Sequence, residues 1–479
     1  MQVAPLCRIL GLLFLILSLS FLPPILIAAG YHDHTEAFVY SFMITFLIGN
    51  LLWIPTRKQL TAPNIQDGFF LIVLFWIISG LFSALPFYLE KNLHLSFINA
   101  LFESISGLTT TGATVLTQID SLPRAIVYYR QQLQFLGGIS IILLAIAILP
   151  TLGIGGLQLF RSEVSSFSKE DKFTPKVRFA AKNIWFIYLL LTALCTLGYY
   201  FAGMTWFDAI GHSFSTVSTG GFSTHEANLA YFASTKINFI AIVFMFLGSI
   251  NFMLHFIALK RHTLNPYRDN PECRFFIYFL LMITLVSFVF LALFNRPDTF
   301  SRMDVFVEIM SFTTTTGFNV TPHALPNFMA FLLLFCAFVG GCAGSTSGGI
   351  KIFRLMLLHK IGIREVHRLI HPHGQYVIKL GNQGINTRTI EGVWGFFALY
   401  FFVFVLLLLL LLIVEKDFLS TYSALMAAIT NTGRGLGEVA TCFNSLSSYS
   451  KAILCFAMIA GRLEILAILV LFSPVFWRR

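Results

Sequence analysis

Four short segments of this chain share one pattern: TTTGAT from Thr109 to Thr114, STGGFS from Ser218 to Ser223, TTTGFN from Thr314 to Asn319 and TNTGRG from Thr430 to Gly435. Their shared glycines, Gly112, Gly221, Gly317 and Gly433, are 109, 96 and 116 residues apart. Between consecutive glycines lie an apolar stretch, a basic loop and another apolar stretch. Such a repeat constrains architecture more tightly than any single motif, because each unit is one module that buries its faces against its neighbours. The predicted module is span, loop, span.

Thirteen residues before the glycines stand Asn99, Asp208, Asp304 and Ser420, all of them residue types that cap helix N-termini. About three turns of apolar and small residues follow, with Glu103, His212 and Glu308 at matched positions nine before the glycine. The spacing predicts a half-helix ending at each glycine segment. So short a helix cannot cross hydrocarbon, and irregular backbone at membrane depth survives only where protein buries it or water lines it. A re-entrant loop meets both conditions.

Composition places these loops in a membrane. Hydrophobic residues are 57% of the 479, charged residues only 11%, and the mean hydropathy is +0.79, against about 25% charged in a soluble domain. Runs such as Phe275 to Phe294 and Phe396 to Val414 approach the roughly 20 residues of a spanning helix. About ten spans are expected. The first, Ile9 to Ala29, lacks a basic leader and a small-residue cleavage site and is expected to persist as a helix. The net charge of +10 would suggest nucleic acid in a soluble protein. Here Lys and Arg cluster in alternate loops: Arg57 and Lys58, Arg161 to Lys182, Lys260 to Arg268, Lys351 to Arg388, and Arg478 with Arg479. The basic excess is therefore topological, those loops are cytoplasmic, and with an even number of spans so are both termini. No nucleic-acid partner is implied; the surrounding partner is membrane lipid. Seven cysteines without a CxxC spacing suggest neither a disulfide framework nor a zinc site.

An ion shedding water needs several closely spaced oxygens. Backbone carbonyls and Thr hydroxyls supply them without full charge, and one glycine per segment at positive φ lets successive carbonyls face one axis. Half-helices ending there direct their partially negative carbonyl ends at a cation. Divalent ions call for rings of carboxylates, whereas Thr, Ser, Asn and Gly dominate here. The expected passenger is a monovalent cation.

With these segments on the page, the chain resembles the membrane subunit of the Trk-type bacterial potassium uptake system, in the Trk/Ktr/HKT superfamily. The likeness extends to Tyr129–Gly156 (YRQQLQFLGGISIILLAIAILPTLGIGG), Gly248–Phe256 (GSINFMLHF), Gly340–Lys351 (GGCAGSTSGGIK) and Gly461–Ile465 (GRLEI). It implies an all-α membrane protein of the bacterial inner membrane, with an N-terminal helix pair (1–60) and four pseudo-symmetric pore repeats (61–160, 161–262, 263–370 and 371–479) around a central pore. It implies potassium as the ion, with filter carbonyls at Thr110, Thr111 and Gly112; Thr219, Gly220 and Gly221; Thr315, Thr316 and Gly317; and Asn431, Thr432 and Gly433. It implies an intramembrane gating loop including Gly344, Ser345, Thr346, Ser347 and Gly348, with Arg462 projecting toward the pore. It further implies a homodimer and a cytosolic nucleotide-binding regulatory ring. One departure stands out: the family's usual Gly-Pro-Gly in the fourth segment is Gly433-Arg434-Gly435 here, which sets a cation beside the filter.

Other readings are weaker. Gly344 to Lys351 lacks the GK[ST] ending of a phosphate loop, and Thr346 replaces the serine of a nucleophile elbow. No polar catalytic cluster suits a lipid-modifying enzyme, so the chain is read as no enzyme. His367, His371 and His373 read as part of a solvated basic loop, since Pro372 ends any helix that would align them. Arg462 and Glu464 sit two apart, where helical side chains do not face each other. Glu103, His212 and Glu308 suit either the proton relay of a symporter or hydrogen bonds tying half-helices to their neighbours. Gated conduction and symport with protons or sodium both remain open at this level.

Overall fold

The computed structural model describes residues 3–58, 65–152, 173–294, 301–321, 325–381 and 383–477. Most of the basic segment expected between Arg161 and Lys182 lies outside them. Among the described residues, regular structure is helical apart from a two-residue antiparallel pairing of Lys379–Leu380 with Gln383–Gly384. Among the described residues, six helices are long and apolar enough to cross a membrane, and two further helix pairs qualify if each bent pair counts as one span. The stretch Ile9 to Ala29, expected as one helix, is divided into Val3–Leu19 and Leu22–Tyr31. Pro23 in the first turn of the second piece costs nothing, because its missing N–H would have no helical partner there.

Each glycine segment is preceded by a helix of 12 residues: Phe97–Leu108, Trp206–Val217, Arg302–Thr313 and Phe418–Ile429. At 1.5 Å per residue each is about 18 Å long, well short of a hydrocarbon core of about 30 Å. Their N-caps are Ser96, Thr205, Ser301 and Asp417, whose side chains accept from the backbone N–H of Asn99, Asp208, Met303 and Ser420 respectively. This corrects the expected caps by three residues. Asn99, Asp208, Asp304 and Ser420 occupy the third helical position, the second half of a capping-box spacing.

The half-helices are held in a closed cycle. Each packs against the apolar helix before it: Ile65–Ser83, Phe173–Phe201, Pro271–Phe294 and Thr387–Leu412 in turn. Each also packs against two following helices, one from its own unit and one from the preceding unit. Thus Trp206–Val217 touches Thr235–Ser249 and also Arg124–Leu152, and Arg302–Thr313 touches Asn327–Val339 and Thr235–Ser249. Phe97–Leu108 closes the cycle by touching Ser448–Arg462 as well as Arg124–Leu152. Hydroxyls carried into these contacts find partners: Ser104 Oγ donates to Gly80 O at 2.7 Å, Thr196 and Ser213 pair at 2.7 Å, and Tyr199 and Thr216 at 2.8 Å. Each such bond contributes about 0.6 kcal/mol within a bilayer.

Three of the four following helices break. Thr235–Ser249 and Phe252–Arg261 meet at 98°, and Ser448–Arg462 and Ile465–Phe472 at 109°. In the third unit Asn327–Val339 gives way to the non-helical run Gly340–Lys351 before Ile352–Ile370 resumes. That last helix ends two residues before Pro372, whose ring restricts the residue preceding it. Replacing Ser96 or Ser301 with Ala is expected to lower the stability of the purified protein by about 1 kcal/mol. Denaturation midpoints in detergent measure it, and an unchanged midpoint in both variants rejects the assigned caps.

Candidate functional site

The C-terminal ends of the four half-helices share one turn. Thr110, Thr219, Thr315 and Asn431 take φ values of 52°, 53°, 57° and 55°, and Gly112, Gly221, Gly317 and Gly433 take 85°, 82°, 79° and 74°. One left-handed residue per segment was expected, and there are two. The first is the left-handed cap of a Schellman motif. Thr111 N donates to Ser106 O at 2.8 Å, Gly220 N to Ser215 O at 2.8 Å, Thr316 N to Ser311 O at 2.7 Å and Thr432 N to Ala427 O at 2.9 Å. Glycine is the residue that takes this position without cost; β-branched Thr there is strained by about 1–3 kcal/mol.

The four glycines face their neighbours in a ring. A Cβ on Gly112 would fall 2.1 Å from Gly220 O, on Gly221 2.0 Å from Thr316 O, on Gly317 2.0 Å from Thr432 O, and on Gly433 2.0 Å from Thr111 O. First turn meets second, second meets third, third meets fourth, and fourth returns to the first. Thr110 to Gly112, Thr219 to Gly221, Thr315 to Gly317 and Asn431 to Gly433 are thereby gathered around one axis. The clashing atoms are backbone oxygens, which no rotamer change displaces, so each glycine is fixed by its neighbour as well as by its own φ.

Most of the segment hydroxyls are bonded within the protein, Thr110 Oγ1 excepted. Thr109 pairs with Thr111 at 2.7 Å, Thr314 with Thr316 at 2.8 Å and Thr430 with Thr432 at 2.9 Å. The first of each pair also donates to its own helix, to Ile105 O, Met310 O and Met426 O, each at 2.7 Å. The expected hydroxyl ligands are thus largely committed as props, leaving the carbonyls. In the second turn Gly220 replaces the third-position Thr. Gln134 fills the gap, donating to Gly220 O at 2.6 Å and accepting from Phe222 N at 3.2 Å. Sequence reading missed Gln134; its signal was the one segment lacking that Thr.

Buried ion pairs anchor two turns. Glu103 accepts from Thr114 Oγ1 at 3.0 Å, Val115 N at 3.0 Å and Arg130 Nε at 2.7 Å. Arg130, 1% exposed, also donates to Thr114 Oγ1 at 3.1 Å and lies over the Phe222 ring at 4.2 Å. Glu308 accepts from Val320 N at 3.4 Å and from Arg434 Nη1. Arg434 therefore does not intrude on the ring axis; its charge is turned back onto the carboxylate behind the third turn. In the second unit His212 fills the matched position, with Nδ1 2.9 Å from Asp208 O and Nε2 3.0 Å from Ser223 Oγ. In the fourth, Ser423 Oγ accepts from Leu436 N at 2.8 Å.

Against the inner ends of the half-helices lies the run Gly340–Lys351, with φ values of 71°, 74°, 72° and 78° at Gly340, Gly344, Gly349 and Lys351. Thr346 Oγ1 donates to Val217 O at 3.0 Å and Gly248 O at 2.9 Å, Gly348 N to Thr315 Oγ1 at 2.6 Å and Gly349 N to Thr430 O at 3.0 Å. Thr346 and Gly348 of the expected gating set, together with Gly349, are thus bonded to three of the four units. Arg462, 3% exposed, donates through Nη1 to Thr346 O at 2.8 Å, while its Nε and Nη2 bond nothing among the described residues. Glu464 pairs with Arg354, not with Arg462.

Comparison with known proteins follows this geometry. A sequence model of the TrkH family, described as a cation transport protein, matches residues 34–479. The chain is 45% identical to the Trk system potassium uptake protein TrkH of Halomonas elongata, over 100% of both chains. It is 45% identical to the protein of that name from Escherichia coli K12, over 98% of each. Its structure superposes on the crystal structure of the potassium transporter TrkH from Vibrio parahaemolyticus with a TM-score of 0.93, at 42% identity and full coverage of both chains.

Arg434→Ala is expected to destabilise the protein by about 3–5 kcal/mol, because it leaves Glu308 charged, buried and unpaired. Pairing it with Glu308→Gln is expected to recover most of that loss. Additive losses in the double variant would show that the two residues do not act as a pair.

Proposed function

The chain belongs to the TrkH family of cation transport proteins, and from that premise we propose that it takes up potassium across the bacterial inner membrane through the ring of four turns. The observation that carries this reading is the cyclic glycine-to-carbonyl contact among Gly112, Gly221, Gly317 and Gly433. Uncharged backbone oxygens gathered on one axis replace the hydration shell of an alkali cation. Four half-helices, ending at the ring, add partial negative charge there. The nearby carboxylates Glu103 and Glu308 are each committed to an arginine, which disfavours a divalent ion and also a proton relay. Conduction down the electrochemical gradient is therefore preferred over symport with protons or sodium. An inside-negative potential contributes about 2.3 kcal/mol per charge per 100 mV.

In this reading the units 61–160, 161–262, 263–370 and 371–479 are quasi-equivalent quarters of the pore, preceded by the helix pair 1–60, giving about ten spans with both termini cytoplasmic. Gly340–Lys351 is the gate, and Arg462, hydrogen-bonded to Thr346, opposes ion passage with its charge. The helix Ile352–Ile370 carries Arg364, His367 and Arg368 beyond the gate. It offers a lever to a cytosolic nucleotide-binding regulatory ring, with the protein acting as a homodimer.

Gly221→Val or Gly317→Val is expected to abolish preference for potassium over sodium, because the β-branched side chain meets a backbone oxygen. Rubidium uptake with sodium competition in reconstituted vesicles measures this, and unchanged selectivity with normal expression refutes the filter assignment. Arg462→Ala is expected to raise potassium flux severalfold; flux equal to wild type assigns the residue to structure alone. Reversal potentials at varied pH and sodium separate conduction from symport, since conduction predicts a Nernstian response to potassium only.

A further inference from the structure

The second turn is the one backed by histidines. His225, four residues beyond Gly221, bridges two units on the side of the ring opposite the gate. Its Nδ1 lies 2.5 Å from Asp120 Oδ1 in the outer segment of the first unit, and its Nε2 lies 3.4 Å from Asp208 Oδ1 on the second half-helix. The ring stacks on Tyr231 at 3.5 Å between centroids. Asp208 is held in turn by Thr205 at 2.7 Å and Thr224 at 2.6 Å. The titratable and charged groups facing His225 are therefore Asp120, Asp208, His212 and Tyr231, with Glu226 adjacent in the chain and its N–H donating to Asp120 Oδ2 at 3.2 Å. The bridge reaches the second turn directly, through Thr224 Oγ1 donating to the Asp208 carboxylate and His225 N donating to Ser223 Oγ at 3.1 Å, the hydroxyl that also meets His212 Nε2.

We propose that His225 is a proton sensor on the outer mouth, which when protonated cross-links Asp120 to Asp208 and holds the second turn in its ion-discriminating shape. Among the described residues Nε2 makes an ion-pair contact with Asp208 and no hydrogen bond, so only the charged imidazolium holds both carboxylates; the neutral ring keeps its Nδ1 bond to Asp120 and loses its hold on Asp208. Asp120 is half exposed, so outside protons reach the bridge. This inference rests on reading the four turns as the conduction path and Asp120 as external.

Burial alone would lower the His225 pKa, but the adjacent carboxylates of Asp208 and Asp120, the latter accepting its Nδ1–H, outweigh it and the net direction is up. For Asp120, burial pulls upward, and the His225 bond and the Glu226 N–H outweigh it, leaving its pKa depressed. A raised histidine stabilises the bridge at low pH and loses that contribution as pH rises through its folded value. A depressed carboxylate contributes above its unfolded value and fails only in acid. The bridge is thus held below the raised pKa of His225 and opens as external pH climbs past it.

The test is rubidium-over-sodium uptake in vesicles at external pH from about 6 to about 9. Wild type is expected to lose discrimination severalfold toward alkaline pH, and His225→Gln to show the low alkaline value throughout. Asp120→Asn, a half-exposed change that folding tolerates, is expected to move the midpoint down by about one pH unit. Nuclear magnetic resonance titration of His225 in the purified protein is expected to give the same midpoint and the same displacement. Superimposable profiles for wild type and His225→Gln, or a midpoint unmoved by Asp120→Asn, overturn the sensor. That failure is distinct from failure of the conduction reading, which shows as unaltered selectivity when Gly221 is replaced.

Discussion

Everything at the centre of this molecule depends on a backbone contact that admits no side chain. Each of the four ring glycines sets its α-carbon against the carbonyl of the next turn, at a distance where even a methyl group would overlap a backbone oxygen. The contact links the units in a cycle, so no turn can relax alone. It also requires each half-helix to stop at a set depth. The Schellman closure does this, consuming two terminal carbonyls through backbone bonds and leaving the later ones for the ring.

Closing a helix with Thr or Asn in the left-handed region is unfavourable by about 1–3 kcal/mol per turn, and the surrounding contacts offset it. The second-position side chains meet helices that carry glycine at the point of contact: Thr110 Cγ2 would lie 3.3 Å from a Cβ on Gly137, and Thr219 Cγ2 3.3 Å from one on Gly248. Asn431 uses its amide instead, donating to Thr111 Oγ1 at 3.0 Å and to Met458 O at 2.9 Å, so it ties the fourth turn to the first. Behind the turns the four units solve one problem with different chemistry. A glutamate–arginine pair lies within the first unit, a histidine relay backs the second, an arginine lent by the fourth serves the third, and a serine serves the fourth. The backbone ring is near-symmetric while its supports are not, so a change in conditions enters the ring through one turn and is passed to its neighbours by the glycine-to-carbonyl contacts.

Much of this was visible in the residue pattern. Apolar length and the charge alternation gave the helical membrane class, and the spacing of Gly112, Gly221, Gly317 and Gly433 marked four equivalent helix ends. The half-helix starts were misplaced by three residues because either member of a capping-box spacing has the composition of a cap. Left-handed Thr110, Thr219 and Thr315 left no trace, since Thr is the residue composition least associates with positive φ. Arg434 suggested an obstruction because its partner Glu308 is 126 positions away, and separation of that order erases a pair from local sequence. Gln134 was hidden for the same reason, since it meets Gly220 and Phe222 of the second unit, and Arg130 because only the folded chain sets its apolar helix against Glu103 of the half-helix before it.

Read as the gate, the run Gly340–Lys351 has ties to the half-helix ends of a strength that a partner's binding could offset. Its ties to the half-helix ends and their turns are Thr346 to Val217 and Thr219, Gly348 to Thr315, and Gly349 to Thr430, with Arg462 clasping Thr346 from the fourth unit and further bonds to Gly248, Ser249, Phe252 and Glu272. Hydrogen bonds of this kind contribute about 0.5–1.5 kcal/mol each, so releasing those to the half-helix ends and turns costs a few kcal/mol. A partner binding the open arrangement about a hundredfold more tightly supplies 2–3 kcal/mol, the same scale. The ring glycines lie where an added Cβ would meet the next turn's backbone oxygen at 2.0–2.1 Å, and Gly348 of the run approaches Thr430 O as closely, at 2.1 Å. Under the proposed function the two layers divide the labour: the ring discriminates through oxygens that neighbouring turns hold in register, and the run beneath it gates by exchanging the hydrogen bonds that seat it against those turns.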